Sequence, residues 1–390
     1  MVAASTATEI EPRSIPREVA LKRARDAIAD NRLDALVASS HASTFCLAGT
    51  NFVSQRALQE RLALVVVEAG GDPVFIVERS EADEARARSW VADIRIYREF
   101  AEDPIDVLAS VLRELGVSEG RIGIEKDMMS ARHSQLLRKA CPKAVLVDAD
   151  PILQHMRAIK TSEEVHILGE LALNTIRAIH SAFKAAKIGD SERQVGERMK
   201  AAAREMGLHE YSHLILGTGA NALKAHHEPD DTKLSPSTIL RVDMGLMDRG
   251  YTSDVARTVI VGPPLPHQIE TYKKLEAIFG NVVEAMRPGA LASDIYRVYL
   301  KACERYGAVS GISHVGHSIS MNVQKRFETP ALHARDHSVL ETGMVFMVEP
   351  YIRGEGANYH VEDLIEIRSN GPRIWSRTPE WDLTEPMIVG

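Results

Sequence analysis

A repeat in the second half of the chain most constrains its fold. Residues 187–207 (KIGDSERQVGERMKAAAREMG) and 287–307 (RPGALASDIYRVYLKACERYG) align without gaps at an offset of 100, with Gly189 matching Gly289 and Gly207 matching Gly307. Each copy reads as a glycine-bracketed helix followed by two strand-like runs around a turn. In the first hairpin, TILRVDMGLMDRGYTSDVARTVIVG, the turn-forming residues are Asp248, Arg249 and Gly250. Paired residues of an antiparallel hairpin share a constant index sum. For Asp243 and Asp254 that sum, 497, centres on the turn, so the two aspartates are expected across from each other with Cβ atoms about 4.5–5.5 Å apart. In the second hairpin, GMVFMVEPYIRGEGANYHVEDLIEIR, Glu349 and Glu362 share a sum of 711 and centre between Glu355 and Gly356. One such carboxylate alone is usually a solvated strand residue. Four of them on equivalent hairpins around one core are prohibitive unless cations neutralise them.

The rest of the chain frames this pattern. At 390 residues with 45% apolar content it exceeds the roughly 250–300 residues of a single core, which suggests two domains. From about Ile15 to 155, strand-like pieces (LDALVAS, RLALVVVEA, DPVFIVE, RIGIE) alternate with helix-like ones such as DPIDVLASVLRELG, the pattern of a small α/β domain. It has no phosphate-cradling glycine loop and is expected to frame a site. A second domain, 156–390, opens on the capping-box pair Thr161 and Glu164. Val165, Leu168, Ala172, Ile176, Ile179 and Phe183 then mark the apolar stripe of a helix.

With 47 basic and 54 acidic residues the net charge is -7, which gives no footprint for nucleic acid or an anionic membrane and favours a small-molecule partner. Cys46, Cys141 and Cys303 are widely spaced and suggest neither disulfides nor a thiolate metal site. The first residues lack a signal-peptide pattern, and no apolar run approaches the ~18 residues of a membrane span. A cytoplasmic protein is expected.

RVDMGLMDRGYTSDVARTVIVG, ETGMVFMVEP and YHVEDLIEI, in that order, resemble the metal-binding segments of the pita-bread metallohydrolases: aminopeptidase P, prolidase, methionine aminopeptidase and creatinase. The resemblance spans roughly Arg157 to Ile388. LDALVASSHASTFCLAGTNF looks like the creatinase-type N-terminal domain. The fold so implied is an α/β N-terminal domain plus an α+β pita-bread domain with an internal pseudo-twofold. By resemblance Asp243 would hold one metal, Asp254 and Glu362 would bridge, and His317, in SHVGHSIS, would join Glu349 around the second. A single imidazole among carboxylates favours manganese or iron(II), with cobalt or zinc as substitutes. A water between two such ions can be deprotonated near neutrality and attack a polarised carbonyl, with Glu349 managing the proton. His226, in LKAHHEPDD, matches a substrate-side histidine, with His227 the alternative. His314 and His360 complete the candidate catalytic groups.

The chain also departs from the proline-specific members. Their second histidine, seven residues past the ligand, is Gln324 here, or Phe327 when aligned on ETP. Their arginine two residues before the second glutamate is His360, a titratable group in place of a fixed charge. The resemblance implies an Xaa-Pro peptidase first, and second a hydrolase of a small non-peptide amide or amidine, as in ectoine-hydrolase-like relatives. A third reading is a non-catalytic binding module, which the full ligand set disfavours. A sulfonium lyase would carry an aspartate where this chain has Gly245. The family further implies a homodimer, and Asn51 to Gln59 is the expected substrate-reaching loop.

Overall fold

The computed structural model describes residues 15–58, 61–321 and 328–390; Gln59, Gln324 and Phe327 lie outside them. The chain divides into two compact units, Met1–Arg157 and Ala158–Gly390. No helix among the described residues is long and apolar enough to cross a membrane.

In the first unit β1 (Ala35–Ala38), β2 (Leu64–Glu68), β3 (Val74–Glu78), β4 (Asp93–Tyr97), β5 (Arg121–Ile124) and β6 (Val145–Asp148) form one mixed sheet ordered β4-β3-β2-β1-β5-β6. Strands β1, β2 and β3 are apolar with almost no alternation and are buried, as expected of strands covered on both faces. Helix Pro104–Glu114 starts where the Asp103 side chain accepts from the Ile105 amide at 3.0 Å, with proline in its first turn, and it buries Ile105, Leu108 and Leu112. Of the segment expected as a loop from Asn51, Val53–Ala57 is a short helix, tied down by Phe52, stacked on Phe75 at 5.9 Å, and by Gln55, which donates to the Ser39 carbonyl at 3.1 Å.

The second unit opens with helix Ser162–Lys184, whose capping box is the Thr161–Glu164 pair. All six residues of its expected stripe are buried. Helices Glu192–Glu205 and Ala292–Arg305 then stand 100 residues apart. Their entry loops repeat bond for bond. Gly189 N–H donates to the Leu234 carbonyl at 2.9 Å, and Gly289 N–H to that of Leu340 at 2.8 Å; the returning bonds, Leu234 to Asp190 and Leu340 to Ala290, are both 2.8 Å. Gly189 and Gly289 take φ near +90°, which only glycine adopts cheaply.

The strands of this unit are β7 (Glu210–Thr218), β8 (Thr238–Asp248), β9 (Tyr251–Thr252), β10 (Val255–Val261), β11 (Val309–Ser310), β12 (His314–Ser318), β13 (Glu328–His333), β14 (Val345–Val348), β15 (Tyr351–Arg353), β16 (Asn358–His360), β17 (Asp363–Arg368), β18 (Gly371–Ile374) and β19 (Ile388–Val389). They form sheets ordered β19-β10-β8-β7, with β9 on β8, then β11-β15-β16 and β13-β12-β14-β17-β18. Asp243 pairs with Ile215 of β7, and the Glu349 amide bonds to Val315, again 100 residues on. The two halves meet at the bridge between Ala256 and Glu362, where the Glu362 amide donates to the Ala256 carbonyl at 3.0 Å.

The second hairpin keeps the expected register: Tyr351 pairs with His360 and Val348 with Asp363, both with index sum 711. The first does not. Asp243 pairs with Ala256, a sum of 499, so the direct Asp243–Asp254 pairing is corrected by two residues. The cause is the turn. Arg249 and Gly250 both take positive φ, 47° and 83°, making a two-residue turn, while Asp248 remains in the strand. A two-residue slip preserves the sheet face, so Asp254 still lies on the face of Asp243, one diagonal step away.

Candidate metal centre

Strand alternation brings the acidic residues to a common site. Asp243 projects from β8, Asp254 from the segment before β10, Glu349 from the end of β14 and Glu362 from the start of β17. His317, on β12, has its Nε2 3.8 Å from Asp254 Oδ2, 3.8 Å from Glu349 Oε1 and 4.0 Å from Glu362 Oε1. Its Nδ1 is 2.8 Å from the Ser318 carbonyl, which can only accept. Nδ1 therefore carries the proton and the Nε2 lone pair faces the carboxylates, the tautomer a metal ligand needs.

At this centre three triads could each hold a cation with ligand atoms within 4.8 Å of one another: His213, Asp243 and Asp254; Asp243, His360 and Glu362; Asp254, His317 and Glu362. The donor set therefore fits two divalent ions. The clearest sign is Glu362, which is 2% exposed and whose Oε1 has no hydrogen-bond partner among the described residues. Burial, then the carboxylates of Asp254, Glu349 and Asp243, push its pKa well above the ordinary range. Burial raises Asp254 too, with the Asp243 charge adding to this against the pull of His213. Asp243 is held low: burial opposes this, but His213 beside it and His360 beyond more than compensate.

The site is richer in imidazole than the single-histidine expectation. His213 Nε2 lies 2.9 Å from Asp243 Oδ1 and 3.2 Å from Asp254 Oδ1. Burial opposes its charge, yet those two carboxylates lift its pKa well above the usual imidazole value. Sequence reasoning missed it because it depends on β7 pairing with β8. His213 sits across from Gly245, two residues along from Asp243 on the same face. The available signal was the alternation in Glu210–Thr218, a third strand-like run ahead of the hairpin.

His360 is 3% exposed, with Nε2 3.8 Å from Glu349 Oε2 and 3.9 Å from Glu362 Oε2. Burial drives its pKa down to about 4 despite the attraction of Asp243 and Glu349, so it is neutral at pH 7. His314 Nε2 stands 2.9 Å from Glu349 Oε1. His226 is exposed on a turn whose Lys224 and Ala225 carbonyls accept from Arg241 at 2.6 and 2.9 Å. No contact joins it to the carboxylates. Its neighbour His227 is taken up by the fully buried Glu192, with Nε2 2.8 Å from Oε2. Glu192 also accepts from the Thr218 amide at 2.8 Å and from Asn221 at 3.1 Å, so His227 anchors the loop and His226 is left exposed beside it.

Comparison with known proteins gives a consistent result. The model of metallopeptidase family M24 matches residues 168–369, and that of the creatinase/prolidase N-terminal domain matches 21–159. An Xaa-Pro dipeptidase of Lactobacillus helveticus is 28% identical over 324 residues, 82% of this chain and 87% of that protein. The crystal structure of dipeptidase PepE from Mycobacterium ulcerans superposes with TM-score 0.83 at 26% identity, covering 96% of this chain and 98% of the other. An Xaa-Pro dipeptidase from Bacillus anthracis shares the fold at TM-score 0.83 and 22% identity, over 96% of this chain and all of that one.

Proposed function

Since the chain belongs to metallopeptidase family M24, we propose that it is a dinuclear-metal hydrolase of amide bonds, acting on Xaa-Pro peptides as its similar dipeptidases are named for doing. One observation carries the reading: the carboxylates of Asp254, half-buried, and of Glu349 and Glu362, buried, converge on the His317 lone pair, and Glu362 Oε1 has no partner among the described residues. Asp243, Asp254, His317, Glu349 and Glu362 would hold the ions, with manganese the first choice and iron, cobalt or zinc the alternatives. When bound, two divalent ions lower the pKa of a water between them and polarise the scissile carbonyl.

The chain's own groups manage the proton and the substrate. His314, in contact with Glu349, can accept a proton from that carboxyl and return it to the leaving amine. His226, on its Arg241-anchored turn, would reach the substrate side. A homodimer in the cytoplasm is the assembly and compartment we assign.

His360 favours a second reading. A neutral buried imidazole cannot hold a substrate carboxylate as an arginine would, so a small non-peptide amide or amidine is the alternative substrate. Turnover of manganese-loaded protein on Xaa-Pro dipeptides, longer Xaa-Pro peptides and ectoine-like cyclic amidines, with elemental analysis of bound metal, separates the two. Cleavage of Xaa-Pro bonds supports the peptidase. Amidine hydrolysis without peptide cleavage supports the second reading, and failure to bind metal removes both.

A further inference from the structure

The two halves of the pita-bread unit present imidazoles to the centre from strands β7 and β12, but from non-equivalent positions. His317 stands on β12, and its counterpart 100 residues earlier on β7 is Gly217. His213 stands on β7, and its counterpart on β12 is Ser313, just ahead of the strand. His213 is therefore no relic of the duplication; it was placed independently, and the fold makes room for it. A Cβ on Gly245, its cross-strand partner, would lie 2.7 Å from His213 Cε1 and 2.4 Å from the Ser253 carbonyl oxygen. A side chain at 245 would displace the ring.

The distances suit coordination. Bonds of about 2.1 Å give an octahedron with edges of roughly 3.0 Å and diagonals of roughly 4.2 Å. His213 Nε2 stands 2.9 and 3.2 Å from the nearest oxygens of Asp243 and Asp254, which are edge lengths. His360 Nε2 lies 3.8 Å from Glu349 Oε2 and 3.9 Å from Glu362 Oε2, which assigns it to neither position. His360 is 3% exposed, and neither ring nitrogen has a hydrogen-bond partner among the described residues.

We propose that the cation held by Asp243 and Asp254 takes His213 as a further ligand, so that each metal position carries an imidazole, His213 at one and His317 at the other. The inference rests on the dinuclear reading above. Imidazole suits zinc, iron and nickel, whereas carboxylate and water suit manganese and magnesium. Loss of His213 should therefore weaken the binding of a borderline metal such as zinc more than that of manganese.

The test uses the full chain, stripped with chelator and titrated calorimetrically with Zn²⁺ and with Mn²⁺. It compares wild type with His213→Asn and His213→Gln, with circular dichroism confirming that each is folded. Each variant should weaken Zn²⁺ binding at least tenfold and Mn²⁺ binding less, narrowing the selectivity. Glutamine at 213 can still donate to the carboxylates, so recovery of wild-type selectivity by His213→Gln would make His213 a carboxylate-positioning residue and overturn its ligand role. Pulsed EPR of the Mn²⁺ protein in a His317→Asn background should still show ¹⁴N coupling, and adding His213→Asn should diminish it. Two bound metals with unchanged selectivity and unchanged ¹⁴N coupling in the variants would sink the inference while leaving the dinuclear reading intact. No metal in the wild type would sink both.

Discussion

Glu362 and Asp363 are consecutive residues, both almost fully buried, yet they face opposite sides of one strand and have opposite fates. Asp363 Oδ1 lies 2.5 Å from Arg257 and 2.7 Å from the Ser376 hydroxyl, and its Oδ2 lies 2.9 Å from Arg377. Burial would raise its pKa, but Arg257 and Arg377 hold it below the ordinary range. Glu362 faces other carboxylates and is raised instead. One side carries its counter-charge in the sequence; the other, in the proposed reading, would take it from solution as metal. In the first unit Asp150 shows a third solution. Burial, then the charges of Glu125 and Asp148, raise its pKa to about 7, so a proton neutralises it over most of the acidic range.

The largest effect should come from removing the bridge on the open side. Asp254→Ala is expected to lower kcat/KM by roughly a thousandfold or more, because the ligand proposed to bridge both cations is lost. Metal analysis should show depleted occupancy, and the metal-free melting temperature should stay near that of wild type. Retained activity with full occupancy would break the distinction between the two faces.

On the closed side, Arg257→Ala leaves Asp363 buried with half its counter-charge and should cost about 3–5 kcal/mol in denaturant unfolding. Saturating metal should not restore that loss. Glu362→Gln is expected to do the reverse: the metal-free protein becomes no less stable, since a buried charge among like charges is removed.

Chelation comes next. Metal at a hundred times its dissociation constant stabilises by about 2.7 kcal/mol per site, so EDTA should lower the wild-type melting temperature, with a much smaller shift for Glu362→Gln.

The smallest effect concerns Asp150. A carboxyl whose folded pKa is raised adds stability below its unfolded value near 3.8, and that stability fades as pH rises through about 7. Asp150→Asn, permanently neutral, should therefore match wild type near pH 4 and exceed it by about 1–2 kcal/mol at pH 8. Melts across that range check the sign; an Asn variant that gains at low pH instead would contradict it.

Much of this architecture was legible in advance. The offset of 100, the two glycines at each helix, the capping box and the six buried stripe residues follow from local periodicity and turn chemistry, which a sequence states directly. The Glu349–Glu362 register was legible for the same reason, because a symmetric hairpin fixes its own index sum. The first hairpin slipped by two because the positive φ of a non-glycine residue, Arg249, shortens the turn, and that conformation is a product of the surrounding strands. His213 was hidden more deeply. Its place beside Asp243 comes from a strand pairing across 30 residues, with a bulge between Tyr211 and His213 and space left by Gly245.

By itself, then, the sequence determined which carboxylates two hairpins would bring together as candidate cation ligands, because apolar patterning and charge are local properties. Only the tertiary structure decided which charges are answered by arginine, which by a proton and which by metal, and how many imidazoles surround that metal. Those outcomes depend on which side chains distant segments bring within about 4 Å, a distance over which charge interactions in a buried site are strong enough to choose among them.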